Sequence, residues 1–330
     1  MTADPDAAHA HGDTRPDGQP WIVVVNFGSH ELVGQNFRAH RSGTGATSGV
    51  VVVDNYSDDA ERAAITAVCD RNGWMLVTRS TNDGFAAACN AGVRAASAAG
   101  ATSVLLVNPD AVVTDDVVAD LARQLAEEPW TLVSPLIVTS EGAPYFRGSR
   151  VDLRSGRMRG RRWGDSSLGP TYLVSEAPYR DWLSGACLGF SIQLWERAGG
   201  LDERYFLYWE DVDFSQRCVD AGARLCLRRD LVVVHDEGGT HGQQGSRARS
   251  AIYYYYNCRN RLLYGAAHLG RRELLRWIWT TPGESWQILL RGGRRQLLES
   301  PKPLLATVLG SAAGLAHAVR SVLGQPVRVS

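Results

Sequence analysis

Lysine is almost missing from this chain of 330 residues: of its 35 basic side chains only Lys302 is a lysine, and the others are arginines. A phosphate site built from a glycine-rich loop and a lysine is therefore excluded from the first 300 positions. The arginines accompany much Ala, Gly and Val, a pattern of GC-rich coding that alone says little about phosphate binding. Net charge is lacking too, with 35 acidic residues against the 35 basic ones, so no overall basic field argues for nucleic acid. The six cysteines form no C-x2-C or C-x4-C pair, which excludes the common zinc and redox arrangements and fits reduced thiols in a cytosol. No apolar run precedes Trp21, so residues 1–20, with Arg15 against Asp4, Asp6, Asp13 and Asp17, are expected to hold no secretory signal and to form a disordered tail. Towards the other end the longest uncharged stretch, Pro303 to Val319, has 17 residues and is broken by Gly310, Ser311, Gly314 and His317. That is short of the roughly 20 apolar residues of a spanning helix, and no transmembrane segment is expected.

What is present is ordinary globular composition, 44% hydrophobic and 21% charged, enough for one large domain with an appendage or two smaller ones. From Trp21 a β-rich run, a break and an Ala-rich stretch recur. Strands are expected at Trp21–Asn26, Val50–Asp54, Trp74–Thr78, Ser103–Asn108 and Trp130–Val138, with helices at Asp59–Asn72, Phe85–Ala99 and Asp115–Glu127. Nearly all-apolar strands separated by helical lengths indicate a parallel sheet covered by helices, so the fold class is α/β. Ligands in such sheets bind beyond the carboxyl ends of the strands, where this sequence places Asn26, Asp54, Asn82 and Asp110.

Residues Glu141 to Arg180 lose this rhythm and carry Arg147, Arg150, Arg154, Arg157, Arg159, Arg161 and Arg162, an excursion over the sheet that is either solvated or an acceptor lid. A helix over Glu210–Ala221 and a strand over Leu231–His235 follow. Beyond Ser250 the pattern is helical, through Tyr253–Tyr264, Arg271–Trp279 and Trp286–Leu298, with Pro282, Pro301 and Pro303 as breaks. Residues 257–330 carry 11 basic and 3 acidic side chains together with Trp277, Trp279 and Trp286. This combination suits a helix lying in a membrane interface, and dimer contacts or a helical cap explain it nearly as well.

Several short stretches could carry chemistry. Asp54-Asn55-Tyr56-Ser57 puts a carboxylate on a turn, where it can accept from a base N–H or ribose hydroxyl, or serve as an Asx turn or N-cap. In Asn82-Asp83-Gly84-Phe85 the glycine lets backbone approach a ligand, and Asn90-Ala91-Gly92 follows on the next helix. Asn108-Pro109-Asp110 aims one carboxylate into the crevice. One carboxylate builds no metal cage, but an ion bridging a substrate diphosphate needs only one or two protein ligands. His235 is a candidate second ligand, against the alternative of a half-buried imidazole bonded to backbone. Gly200 to Phe214 runs through Tyr205, Phe206, Tyr208 and Trp209 into Glu210, Asp211 and Asp213. Acids in a first helical turn are stabilised by the dipole, and two adjacent carboxylates among aromatics also have pKa values raised towards those of a general base.

In this order the motifs resemble family 2 glycosyltransferases of the GT-A fold, and most closely the rhamnosyltransferase-like branch with N-P-D in place of a full D-x-D. The matching elements are Asp54-Asn55-x-Ser57, Asn82-x-Gly84-Phe85 with Asn90-x-Gly92, Asn108-Pro109-Asp110, Trp182-Leu183-Ser184-Gly185-Ala186-Cys187, Asp202-Glu203 to Asp213, and His235-x-x-Gly238. Tyr253 to Arg261 resembles the segment that ends the catalytic part. The resemblance implies a mainly parallel central sheet flanked by helices over residues 21–261 and a helical C-terminal extension over 262–330. It implies that Asp54 reads the nucleotide base, with Asn26, Asn55, Asn82, Gly84 and Asn108 around the nucleotide sugar, and that Asp110 and His235 hold Mg2+ or Mn2+. Asp211 would be the catalytic base with Glu210 beside it, and Trp182, Ser184, Gly185 and Trp209 would meet the acceptor. Two departures stand out: Asn26-Phe27-Gly28 where relatives often have N-Y-N, and Asn108 in place of a first Asp.

The expected activity is inverting, metal-dependent transfer of a sugar from a nucleoside-diphosphate donor, dTDP-rhamnose or a UDP-sugar, to a hydroxyl of a glycan, lipid-linked or small-molecule acceptor. A cytoplasmic protein, peripheral on the membrane through its basic C-terminal helices or homodimeric, fits this reading. A sugar-nucleotide pyrophosphorylase would share the nucleotide site but use lysines on its phosphates. A non-catalytic nucleotide- or carbohydrate-binding module would need no carboxylate pair at the acceptor side.

Overall fold

The computed structural model describes residues 8–9, 20–40, 49–161, 163, 168–235 and 249–325. The chain runs through β1 (Ala8–His9), β2 (Pro20–Asn26), α1 (His30–Asn36), β3 (Gly49–Asp54), α2 (Asp59–Asn72), β4 (Met75–Thr78), α3 (Phe85–Ala98), β5 (Ser103–Val107), β6 (Ala111–Val112) and α4 (Asp115–Glu127). It continues with β7 (Thr131–Val138), β8 (Pro144–Phe146), β9 (Ser149–Asp152), β10 (Arg157–Gly160), β11 (Pro170–Leu173), β12 (Tyr179–Trp182), β13 (Cys187–Ser191), α5 (Ile192–Ala198), α6 (Glu210–Asp220) and β14 (Arg224–His235). The last elements are α7 (Ala251–His268), α8 (Arg271–Leu289), α9 (Gln296–Glu299) and α10 (Lys302–Val322).

The main sheet has the order β1-β4-β3-β2-β5-β13-β7-β14-β11. Strands β4, β3, β2 and β5 are mutually parallel, β13 runs against both β5 and β7, and β14 lies parallel to β7. The central sheet is thus mainly parallel, as expected for a strand set of Val, Ile and Leu buried on both faces. Every residue of β3 and β5 is buried. At roughly 1.5–3 kcal/mol for each fully buried aliphatic side chain, this core dominates the folding energy. Local signals fix α2: Asp58 caps it by accepting from Glu61 N at 2.8 Å, and Gly73 ends it at φ 66°.

Departures from expectation concern the second half. The excursion is built structure: β10, β9 and β12 form a separate three-stranded antiparallel sheet, while β8 and β11 join the main one. Its short strands alternate poorly, which hid them. Arg157 and Arg161 are paired with Glu284 and Asp181, whereas Arg162 lies outside the described residues. The strand expected from Leu231 begins at Arg224 and absorbs Arg228 to Asp230 through a register shift between Arg228 and Val232. Pro282 does not break the chain into two helices, because α8 continues through it. The boundary expected at residue 261 falls inside α7. Of the expected N-terminal tail, Ala8–His9 pair antiparallel with β4, and residues 1–7 and 10–19 lie outside the described residues.

The uncharged stretch from Pro303 belongs to the longer α10, 21 residues with a mean hydropathy of 1.2, which is long and apolar enough to cross a membrane by length and composition alone. Of its apolar window 28% is buried in the protein. At Gly310 a Cβ would stand 2.2 Å from Tyr255 O, so the missing side chain lets α10 lie directly on α7.

Candidate active site

Because the strands are parallel, their carboxyl ends share one edge, and the register pairs Asn26 with Asp54 there. Asn26 is fully buried, and its Oδ1 accepts from Ser29 N at 3.2 Å, which turns it towards the start of α1. Asp54, also fully buried, receives Arg62 Nε on Oδ2 at 2.7 Å, while its Oδ1 has no hydrogen-bond partner among the described residues. An unsatisfied buried oxygen costs about 1–3 kcal/mol, so this atom is poised for a donor from outside the chain. Asn55 Nδ2 donates to Asn82 Oδ1 at 2.9 Å and to Gly84 O at 3.3 Å. Gly84, at φ 97°, lies so close to Phe206 that a Cβ would stand 2.5 Å from its carbonyl, and Phe85 N donates to that same carbonyl at 2.7 Å. The glycine loop is thereby joined to the aromatic segment that precedes α6.

A few strands along, Asp110 Oδ1 stands 3.1 Å from His235 Nε2, with Asn108 Nδ2 3.4 Å from the same nitrogen. The two come together because β6, directly after Asn-Pro-Asp, pairs antiparallel with the end of β14, His235 opposite Ala111. His235 Nδ1 is buried without a partner among the described residues, and Tyr145 lies against its ring at 4.6 Å between centroids. A carboxylate and an imidazole held at this spacing fit a divalent cation that takes its remaining ligands from phosphate and water. No group of three or more His, Cys, Asp and Glu stands together among the described residues, so those residues alone make no full cage. Gly238, expected to complete the histidine motif, lies outside the described residues.

Two adjoining bonds tie this centre to the acids of α6. Asn108 N donates to Ala186 O at 3.0 Å, and Gly185 N donates to Asp211 Oδ2 at 3.0 Å. Asp211 Oδ1 also accepts from Val212 N at 2.8 Å. Burial outweighs these bonds and raises the Asp211 pKa from 3.8 to about 6. Glu210 is pushed well above the usual range, first by burial and then by the neighbouring Asp211 charge, and its Oε2 has no partner among the described residues. Such an adjacent pair titrates as a unit.

The backbone before α6 is strained: Tyr208 at φ 67° and Trp209 at φ 76° both lie in the left-handed region that side-chain-bearing residues rarely adopt. Helix α7 holds them there. Asn260 Nδ2 donates to Leu207 O at 3.0 Å and Tyr208 O at 2.8 Å, and Tyr256 stacks on Phe206 at 5.1 Å. This explains the Tyr-rich segment, whose polar residues brace the entry to the helix of acids. Asn90 works similarly from α3: its Oδ1 accepts from Leu201 N at 2.9 Å and its Nδ2 donates to Leu201 O and Glu203 Oε1.

The expected acceptor residues divide. Gly185 adjoins Asp211, and Ser184 Oγ accepts from Ala186 N at 3.3 Å within the same turn. Trp182 is half-buried against Phe146, its Nε1 unpartnered among the described residues. Trp209 is 3% exposed and packed on Tyr264, a core position rather than a surface platform. Three contributors had no clear mark in the sequence. Arg62 reads as an ordinary helix surface residue, β6 is two residues long, and Asn260 sits mid-helix. Only the last had a signal, an asparagine disfavoured in a helix interior.

Residues 21–172 match the model described as Glycosyl transferase family 2. These residues form a family 2 glycosyltransferase domain. Low-salt glycan biosynthesis hexosyltransferase Agl10 of Haloferax volcanii is 23% identical to this glycosyltransferase over 314 residues, 93% of each chain. The N-acetylglucosaminyl-diphospho-decaprenol L-rhamnosyltransferase of Mycobacterium tuberculosis is 39% identical over 69 residues, 21% of this chain and 22% of that one. Among solved structures, the glycosyltransferase fold matches a mannosyltransferase from Pyrobaculum calidifontis in complex with GDP-Man and Mn2+, with a TM-score of 0.51 and 18% identity over 95% of this chain and 91% of that one. At such identity the likeness establishes the GT-A fold.

Proposed function

We propose that this glycosyltransferase moves a hexose or 6-deoxyhexose from a nucleoside diphosphate, dTDP-rhamnose or a UDP-sugar, to a hydroxyl of a glycan, lipid-linked or small-molecule acceptor, with inversion at the anomeric carbon. The observation that carries it is the joining of three groups from separate elements: the half-paired carboxylate of Asp54 at the end of β3, the Asp110–His235 couple, and Asp211 at the start of α6 against Gly185. Asp54 Oδ1 suits a nucleobase N–H. Asp110 and His235 would hold Mg2+ or Mn2+, which offsets the negative charge that builds on the departing diphosphate. Asp211 takes the proton of the acceptor hydroxyl as its oxygen bonds to the anomeric carbon and the bond from that carbon to the diphosphate breaks. A pKa of about 6 leaves Asp211 mostly ionised at neutral pH yet basic enough to accept that proton. With Asp211 as the base that deprotonates the acceptor, transfer is a single displacement, hence inversion.

The reading extends to a cytoplasmic protein resting on the cytoplasmic face of a membrane. On α8, Leu275, Trp279 and Trp286 fall at helical spacing on one stripe and are 47%, 86% and 49% exposed. On α10, Leu304, Leu305, Val308, Leu309 and Val319 form a second exposed apolar face. Exposed arginines at 271, 272, 276, 294 and 295 lie on α8 and in the segment that follows it, a combination suited to anionic lipid. The contact of α10 with α7 at Gly310 favours a helix lying along the surface over one crossing it.

The test is a thermal-shift panel of nucleoside diphosphates and their sugars with and without Mn2+, followed by transfer assays with the responding donor. A metal-dependent shift with one nucleotide is expected; none with any would overturn the proposal.

A further inference from the structure

Beside the site lies a cavity of about 230 Å³, closed by the turn between β9 and β10, by Trp209, by Asn257 and Arg261 of α7, and by Glu284 and Arg291 at the end of α8 and beyond it. Three guanidinium groups line it against one carboxylate. Arg157 is committed to that carboxylate, Nε and Nη2 donating to Glu284 at 3.0 and 2.9 Å. Arg291 is bonded to a neutral group, Tyr253 OH, at 3.1 Å. Arg261 is 2% exposed, and its bonds run to Ser155 O, Thr281 Oγ1, Thr280 Oγ1 and Trp277 O, none of them charged. No carboxylate lies within ion-pair distance of it among the described residues.

A buried cation without a charged partner costs several kcal/mol. Arg261 stands over the Trp277 ring, 4.9 Å from its centroid, and the Glu284 charge acts on it from beyond ion-pair distance while being held in two bonds by Arg157. Burial lowers the Arg261 pKa to about 10, still far above neutral pH, so the charge is present when the protein works. Trp209 adds a second observation, since its Nε1 is buried and has no hydrogen-bond partner among the described residues. Three arginines against one glutamate leave the cavity with an excess of two positive charges, which matches the charge of about −1.5 to −2 on a phosphate monoester. Forked guanidinium donors are also suited to phosphate oxygens. The volume is below the roughly 300 Å³ at which sites for whole small molecules begin, so the cavity fits a charged group rather than a nucleotide sugar.

We propose that this cavity is an anion subsite for a phosphate or diphosphate group of the acceptor, an inference that rests on the transferase reading above. Trp209, which lines the cavity, is two residues before the base Asp211, so the cavity adjoins the turn that carries the base. A phosphate-bearing acceptor also fits the exposed apolar faces of α8 and α10, since α8 supplies one wall of the cavity.

The experiment uses the full chain with its donor site filled by Mn2+ and the nucleoside diphosphate that together shift its melting temperature, and titrates inorganic phosphate and pyrophosphate at constant free Mn2+. A saturable further shift is expected. Arg291→Gln and Gln287→Glu, both at exposed positions of the cavity lining, should weaken it at least tenfold while the nucleotide shift persists; Arg261→Gln serves as a third variant if it folds. With a phosphate-bearing acceptor, pyrophosphate should raise the acceptor KM and leave the donor KM unchanged. No shift, a shift equal in both surface variants, or binding that leaves the acceptor KM unchanged would each overturn the subsite, the last marking a free-anion site instead. Failure of the transferase reading would look different: no nucleotide shift and no donor hydrolysis.

Discussion

Replacing Asp211 by asparagine separates the roles of this residue, because the change removes a charge and a base while keeping the shape. In the folded protein its pKa is raised from 3.8 to about 6, some two units. At ~1.4 kcal/mol per pH unit this is a destabilisation on the order of 2–3 kcal/mol. The sign follows from linkage: a raised carboxyl pKa contributes stability that is complete below the unfolded value near 3.8 and lost as pH rises through about 6. The asparagine variant has no such dependence at this position. It should be less stable than the wild type at pH 4, because its amide NH2 faces one of the two N–H donors that Asp211 accepts from, at a cost of about 1–2 kcal/mol. By pH 8 it should have regained ~2 kcal/mol relative to the wild type, a change of about 3 °C in the difference of melting temperatures. Activity should move the other way. Loss of a general base costs about 10²–10⁴-fold in kcat, with the donor-induced thermal shift unchanged. The wild-type kcat should rise with pH through about 6 and then level off, a limb absent from the variant. Retention of more than a tenth of transfer, or a melting difference that is the same at both pH values, would refute the argument.

Asp110→Asn and His235→Ala should each abolish the Mn2+-dependent part of the donor thermal shift and lower transfer at least 100-fold; a metal response equal to the wild type in either would exclude the couple as ligands. Asn260→Ala removes the donor that holds Leu207 and Tyr208 carbonyls, and should cost about 1–3 kcal/mol in stability and lower kcat with little change in donor KM. Unfolding by urea and steady-state kinetics check the two parts, and a change confined to KM would show that the strained segment does not position the base. Replacing Trp279 and Leu305 together by serine should reduce co-sedimentation with vesicles containing phosphatidylglycerol several-fold and leave transfer to a soluble acceptor unaltered; equal binding to neutral vesicles would remove the charge argument.

The first half of the fold was legible because its signals are local. Asp58, Gly73 and a two-faced apolar run are each sufficient to place α2 and β3, and the helix bounds Asp59–Asn72 needed no tertiary information. The second half is set by contacts between distant residues. Arg228, Arg229 and Asp230 look like a loop, yet the parallel pairing of β14 with β7 carries the strand across them. Pro282 looks like a helix end, yet packing of Trp277, Ser285 and Ile288 on either side of it holds α8 together. The site shows the same division. Asp54, Asp110 and His235 could be named from their strand ends, but their company could not, since Arg62 and β6 have no local mark. Trp209 is a related case: aromatic residues before a helix of acids suit an acceptor platform and a core equally, and its burial against Tyr264 could not be read from the sequence.

The helical extension and the catalytic sheet are energetically one object, and the left-handed pair at Tyr208 and Trp209 shows why. Two such residues in succession cost on the order of 1–3 kcal/mol each and persist only where the surroundings over-determine them. The restraint comes from α7: Asn260 takes the carbonyls of Leu207 and Tyr208, Tyr256 covers Phe206, and Arg259 Nη1 donates to Arg204 O at 2.9 Å. Asp213, on the same helix as the base, is fixed from α7 as well, by His268 Nε2 at 2.7 Å. Residues that would only close off a domain have no need to reach so many backbone carbonyls of the acceptor-side loop. A chain ending before α7 should therefore lose the alignment of Asp211 with Gly185 even where the sheet still folds. Its donor-induced shift, which depends on β3, β5 and β14, should outlast its transfer activity. Simultaneous loss of both would mean instead that α7 belongs to the folding core of the sheet and that the strain at α6 is a by-product of packing.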